Sequence, residues 1–221
     1  MMARSNQNVI RLLSQERLQG YDNNISKHSQ NLHLIAKITP KIALLEIVVR
    51  NIVDIELSKD SADWILNRTE ESVVQVKKSI DERNKDKELL SHHQYISRFS
   101  LGNVMKIIEE LQLYPLFFQI SNINFKDYHQ NNRNFGFIDN KKVNFSKIDK
   151  VDITLHIFWT LRNRSFHWEN LRKMRRAKNG KVFPRLNYKL KNTIISLDGD
   201  KIENFLAFLL DCIDRDLRKT L

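Results

Sequence analysis

Leu32, Ile35, Ile38, Ile42, Leu45, Val49, Ile52 and Val53 follow one another at intervals of mostly three and four residues. At 3.6 residues per turn this spacing gathers the apolar side chains into one helical stripe, and a strand, with its period of two, cannot bury the same set. One long amphipathic helix is therefore expected over Asn31 to Ser58. Thr39-Pro40 falls inside it. Threonine suits an N-cap and proline the first helical position, so a restart or kink is expected there. Glu46, Arg50 and Asp54 lie four apart on one face, a spacing that forms ion pairs along a helix.

The same bias runs through the chain. It has 5 glycines and 3 prolines in 221 residues, where average usage is roughly 12% for the pair. That scarcity excludes collagen-like, low-complexity and turn-rich all-β chains and favours long helices. A single all-α domain over 1–221 is expected. Thr69 to Leu90, with only Val73, Val76 and Ile80 recurring, reads as a largely exposed charged helix over 68–90. Ser100 caps a helix to about Leu113, with Val104, Ile107, Ile108 and Leu111 inward. Pro115 ends it, and Leu116-Phe117-Phe118 continues the core. Phe125 to Asn144 lacks a period and reads as an irregular lobe within 125–146. Ile148 to about Arg175 is helical again, with Ile153, Ile157, Leu161 and Trp168 near one stripe. Lys178-Asn179-Gly180-Lys181 is a turn signal. It opens an irregular or short β-hairpin insertion near 178–197, in which Val182-Phe183 pairs with Thr193-Ile194-Ile195. Ile202 to Leu217 closes the chain as an amphipathic helix.

Charge is concentrated rather than spread. Between Arg162 and Lys191 stand eleven basic residues against one acid, Glu169. The rest of the chain, with 26 basic residues left of 37 and all but one of its 26 acids, is close to neutral. A basic block on a neutral body points to a polyanion partner. The lone cysteine, Cys212, excludes a disulfide framework or a cysteine-based zinc site within one chain. The opening MMARSNQNVI has no apolar stretch of a secretory signal, and no apolar run approaches the roughly 18 residues that span a bilayer. A cytoplasmic protein that does not enter membranes is expected. His28, His33, His92, His93, His129 and His156 show no H-E-x-x-H or matched acidic spacing, and no phosphate-binding glycine loop is present, so neither a metal nor a cofactor is expected.

The chemistry lies in Arg162-Asn163-Arg164-Ser165-Phe166-His167. Imidazole is the side chain best suited to moving a proton near neutral pH. Arginine is permanently charged and matches phosphoryl oxygens. On a helix Asn163 and His167, four apart, share a face, and Arg162 is long enough to reach the same space. These groups suit phosphodiester cleavage without a metal. Arg164, Arg172, Lys173, Arg175, Arg176 and Lys178 around them suit the backbone of a nucleic acid.

The chain also resembles the Abi-like proteins of bacterial abortive-infection systems, within the HEPN superfamily. LLSQERLQGY near the start is similar to the family's opening, LLEIVVRNIVDIEL (44–57) to its L-E-x-x-x-R-N-x-I helix, ISRFSLGNVMKII (96–108) to its L-S-F-G-F-W segment, and LRNRSFHWENL (161–171) to R-N-R-x-x-H-H-E-P. FPRLNY (183–188) also looks familial. The family's aromatic pair after Gly102 is Asn103-Val104 here, its second histidine is Trp168 and its proline is Asn170. The resemblance implies a HEPN-like helical bundle and a metal-independent endoribonuclease. It implies a composite site made by two subunits, with Arg162, Asn163 and His167 as the catalytic set and Glu46, Arg50 and Asn51 lining or supporting it. It further implies a toxin or phage-defence effector, restrained by an antitoxin protein or RNA or awakened by phage. The alternatives are a non-catalytic RNA-binding module of the same fold and a helical interaction protein.

Overall fold

The structure, a computed structural model, describes residues 2–84, 88–176 and 180–220, with side chains from residue 8 onward. Two helices, α1 (Met2–Leu13) and α2 (Gln15–Gln19), lead into α3 (Ile25–Leu57). This is the long helix that the apolar spacing predicts, but it begins before Asn31, because Asn24 caps it by accepting the amide of Lys27 at 3.1 Å. It does not restart at Pro40. The hydroxyl of Thr39 donates to the carbonyl of Ile35 at 2.7 Å, as an interior residue and not as a cap. Proline brings no N–H, so the carbonyl of Ala36 loses its helical donor. Burial of Ile35, Ile38, Ile42 and Leu45 on either side carries the helix across that gap.

Next come α4 (Trp64–Asn67), α5 (Glu71–Asp81), α6 (His92–Ser97) and α7 (Leu101–Glu110). The exposed helix expected over 68–90 is shorter than that, and α5 is not merely exposed. Ser72, Val73, Val76 and Ile80 are buried, α5 packs on α7, and the Glu110 carboxylate accepts the free amides of Glu71 and Ser72 at 2.9 and 2.7 Å. Ser100 caps α7 as expected. Asn103 completes the capping box by accepting the amide of Ser100 at 2.9 Å, which gives a local reason for an amide just after Gly102. Pro115 does not end α7, which stops at Glu110. It opens a 3₁₀ segment, Tyr114–Asn122, that buries Phe117 and Ile120.

The region 125–146 is less irregular than its sequence suggests. It holds a hairpin of β1 (Phe135–Ile138) and β2 (Lys141–Asn144), joined by Asp139 and Asn140 at φ 48° and 61°, a two-residue turn with both central residues left-handed. Then α8 (Lys147–Phe166) also starts on a capping box, Ser146 with Asp149. It ends at Phe166, well short of Arg175. Ile153, Ile157 and Leu161 are buried as expected, whereas Trp168 lies beyond the helix and is 53% exposed.

Two more hairpins follow. β3 (Met174–Arg176) pairs with β4 (Val182–Pro184), and β5 (Asn187–Leu190) pairs with β6 (Thr193–Ser196). The expected pairing of Val182-Phe183 with Thr193–Ile195 does not form. Each strand pairs instead with a strand adjacent to it in sequence, which closes a shorter loop at lower entropic cost than the expected pairing. The Lys191-Asn192 turn has φ 45° and 53°, the same left-handed pair as in the first hairpin. Finally α9 (Ile202–Ile213) and a 3₁₀ turn, Leu217–Thr220, close the chain. The fold is thus mostly helical, with three small antiparallel hairpins where one was expected.

In the core, α3 packs against α7, α8 and α9, while α8 also packs on 114–122 and β5. The ring of His156 stacks on Tyr188 at 4.1 Å and bonds Asp152 at 2.9 Å, fastening β5 to α8. Among the described residues no helix is long and apolar enough to cross a membrane.

Gly136 marks the closest approach between two hairpins. A Cβ built there would stand 2.5 Å from the carbonyl oxygen of Lys191 and 2.6 Å from its Cβ. The same carbonyl accepts the amide of Phe137 at 2.6 Å. Gly136→Ala is therefore expected to push the hairpins apart and to destabilise the protein by about 2 kcal/mol, read as a lower urea midpoint.

Candidate functional site

The last turn of α8 positions the Arg162–His167 group. His167 does not share a helical face with Asn163, as the sequence suggests. It is the C-cap, and its amide bonds the carbonyl of Asn163 at 3.0 Å. The amide of Trp168 then bonds the carbonyl of Ser165 at 3.0 Å, and that of Glu169 the carbonyl of Arg164 at 2.9 Å. This crossed pair is the Schellman ending, whose next residue must adopt a left-handed backbone. Glycine normally fills that place. Here Trp168 does, at φ 55°. A left-handed conformation costs an ordinary residue roughly 1–2 kcal/mol. Trp168→Gly is accordingly expected to raise stability by about 1 kcal/mol, measured as an increased urea midpoint.

Arg162 is held from two sides. Its Nε and Nη2 donate to the Glu46 carboxylate at 2.8 and 3.1 Å, and its guanidinium lies 4.7 Å from the centre of the Phe166 ring. Nη1 has only a long contact, 3.5 Å to Asn163 Oδ1. The side chain of His167 is exposed and has no partner among the described residues. The end of α8 therefore presents a fixed cation with one uncommitted amino group, an amide, and a free imidazole.

The polar stripe on α3 does not form ion pairs along its own helix. Glu46 reaches Arg162. Arg50 donates to the Ser97 carbonyl at 3.5 Å, and its Nε is buried without a partner among the described residues. Asp54 accepts from Trp64 Nε1 and contacts His92 Nε2, both at 2.8 Å. Each residue fastens a different neighbour to α3, and partners on other elements outcompete the local ones. Asn51 is exposed.

The basic block divides in two. Arg164 donates to Glu169 at 2.5 Å, with Arg185 3.6 Å from the same carboxylate oxygen. Burial lowers the pKa of Arg164, and Arg185 lowers it further against the opposing pull of Glu169. Arg172 pairs with Asp200. These arginines brace the turn after α8. Lys173, Arg175 and Arg176 instead stand exposed at and beside β3, without ion-pair partners among the described residues. Lys178 lies outside the described residues. Neither does any group of three His, Cys, Asp or Glu among the described residues form a ligand set for a metal.

The N-terminal segment supplies a clamp that sequence reasoning did not assign. Asn31, almost wholly buried, donates to the Glu169 carbonyl and accepts the Leu171 amide, both at 2.9 Å, and bonds the Tyr21 hydroxyl at 3.0 Å. Asn170 donates to the Gly20 carbonyl at 2.6 Å, and Arg17 Nη2 to the Trp168 carbonyl at 2.9 Å. Arg17 Nε donates in turn to His28 Nε2 at 3.0 Å. The one available signal was the LLSQERLQGY opening, which contains Arg17, Gly20 and Tyr21.

That last bond requires a neutral imidazole. Burial lowers the pKa of His28 below the ordinary 6.5, and the charge of Arg17 lowers it further. The folded chain then binds fewer protons here than the unfolded one. The contribution is complete above the unfolded value and is lost as pH falls through the folded one. The protection of the Leu171 amide, measured relative to the intrinsic exchange rate at each pH, is expected to fall as pH is lowered below the ordinary histidine value of 6.5. Comparison with His28→Gln isolates the effect. His156 acts with the opposite sign: burial pushes its pKa down, but its bond to Asp152 and the charge of Asp152 outweigh burial and raise it.

No family model matches the chain, and no curated protein or solved structure matches it.

Proposed function

We propose that the protein is a metal-independent endoribonuclease with a HEPN-like helical architecture, and that two copies build its active site. The observation that carries this reading is the exposed imidazole of His167, without a partner among the described residues, five residues after a fixed Arg162 and followed by Lys173, Arg175 and Arg176, cations without ion-pair partners among the described residues. RNA lies along these cations through its phosphates. Its 2′-hydroxyl attacks the adjacent phosphorus as the bond to the 5′-oxygen breaks, leaving a 2′,3′-cyclic phosphate and a 5′-hydroxyl. His167 takes the proton from the 2′-oxygen or gives one to the departing 5′-oxygen, and the second copy's histidine completes the pair. Arg162 stabilises the charge on the phosphorane through Nη1, and Asn163 orients the phosphate or the imidazole. Ile47, Ile55 and Phe166, exposed at 45%, 65% and 45%, are apolar surface suited to the second copy. Acting in the cytoplasm, such an enzyme serves as a toxin or phage-defence effector and is restrained by an antitoxin protein or RNA.

The two-point Glu46–Arg162 bond favours a second reading. An arginine already neutralised by a carboxylate has less to offer a phosphorane, and the same surface then serves a non-catalytic RNA-binding module. Incubation with RNA in EDTA separates the two. The nuclease yields cyclic-phosphate ends, spares DNA and 2′-O-methyl RNA, and stops with His167→Ala. Comparable cutting of DNA overturns the mechanism. Salt-sensitive binding without cleavage establishes the module.

A further inference from the structure

A second site lies away from the end of α8. A cleft of about 630 Å³ opens between the 128–133 loop, β1, β4 and β6. Its volume is within the range of small-molecule sites. Arg133 and Lys181 line it, and no carboxylate does so among the described residues. Arg133 is exposed and has no carboxylate partner among the described residues. Phe137 and Phe183, both half-buried, bring ring surface to the walls, and Asn131 brings an exposed amide.

His129 adds an independent observation. It is 8% exposed, and its Nδ1 lies 3.1 Å from both oxygens of Asp198. The carboxylate only accepts, so Nδ1 carries the proton, and in the neutral ring Nε2 is an acceptor. Nε2 is buried and has no partner among the described residues. A buried polar atom normally finds one. His129 lines the cleft and Asp198 does not, so the ring is part of the cleft wall, with Nε2 itself almost without accessible surface.

We infer that this cleft binds a nucleoside phosphate. The phosphate meets Arg133 and Lys181, and the base lies against Phe137 and Phe183, beside the His129 ring, and is read by Asn131. The nucleotide is either free or one residue of a strand. β3 argues for a connection to the cationic surface, because Arg175 stands opposite Phe183 in the β3–β4 register. None of these contacts uses Arg162 or His167, so the inference stands whether or not the end of α8 cleaves RNA.

The test is calorimetric titration of the whole protein with UMP and AMP, beside ribose 5-phosphate and orthophosphate. Saturable nucleotide binding that exceeds both aromatic-free probes is expected. Arg133→Ala, at an exposed position where the guanidinium lies 5.4 Å from the centre of the Phe135 ring, is expected to weaken it about tenfold or more, and Asn131→Ala to change the preference between UMP and AMP. In nitrogen NMR the Nε2 resonance of His129 shifts with UMP. Competition by an oligouridine strand that loses affinity in Arg133→Ala assigns the nucleotide to a strand, and UMP binding without competition assigns it to the free pool. No binding at about 10 mM, equal binding of orthophosphate, or indifference to Arg133→Ala overturns the inference.

Discussion

In the proposed nuclease, replacing His167 by alanine is expected to slow RNA cleavage by about 10²–10⁴-fold, the range for loss of a proton-transfer group. RNA affinity and thermal stability should barely change. The imidazole is exposed and bonds nothing among the described residues, so its removal deletes chemistry without deleting structure. Arg162→Ala should behave differently. It leaves Glu46, whose side chain is 18% exposed, without its counter-charge, and a loss of about 2 kcal/mol accompanies the loss of activity. Single-turnover rates at saturating RNA, read beside urea midpoints, separate the two profiles. If His167→Ala weakens binding as much as cleavage, the residue holds RNA and does not move a proton.

The second large effect belongs to Asn31. Asn31→Leu keeps the volume and removes every bond. The Leu171 amide and the Glu169 carbonyl then lose their partner in a buried setting, at about 1–3 kcal/mol for each group. A loss of about 3–4 kcal/mol is expected, which corresponds to a fall in Tm of roughly 6–16 °C for a chain of this size. Calorimetry measures it directly. The turn from His167 to Arg172 loses its anchor at the same time, so cleavage should fall although no residue near the RNA has changed. An unchanged Tm would mean that the clamp contributes nothing to the fold.

The helices were legible where burial sets the period. Eight apolar positions on α3 and the stripe Ile153, Ile157, Leu161 on α8 place those elements directly. The end of α8 was not legible, for a definite reason. The usual stop signal is a glycine in the left-handed position, and Trp168 fills it, so the sequence reads as helix on to Arg175. The hairpin turns were hidden in the same way: Asp139-Asn140 and Lys191-Asn192 adopt left-handed backbones without a glycine. Thr39-Pro40 gave the opposite error, a boundary signal overridden by buried isoleucines around it. At the candidate site the sequence identified Arg162, Glu46 and His167 as residues, but not that Glu46 binds Arg162 from another helix. Long-range partners such as Asn31 with Leu171 leave no local pattern to read.

The two anchor points of the site sit on one rod. Asn31 grips the turn after α8 and Glu46 grips Arg162, fifteen residues or about 22 Å apart along α3. Between them lies Pro40, where the backbone ladder lacks a rung. The rod is therefore most compliant midway between its grips. Flexure at this joint lets the two grips change separation while both hold, so under the proposed load of RNA or a second copy the arginine and the turn can be re-aimed relative to each other without either bond being broken.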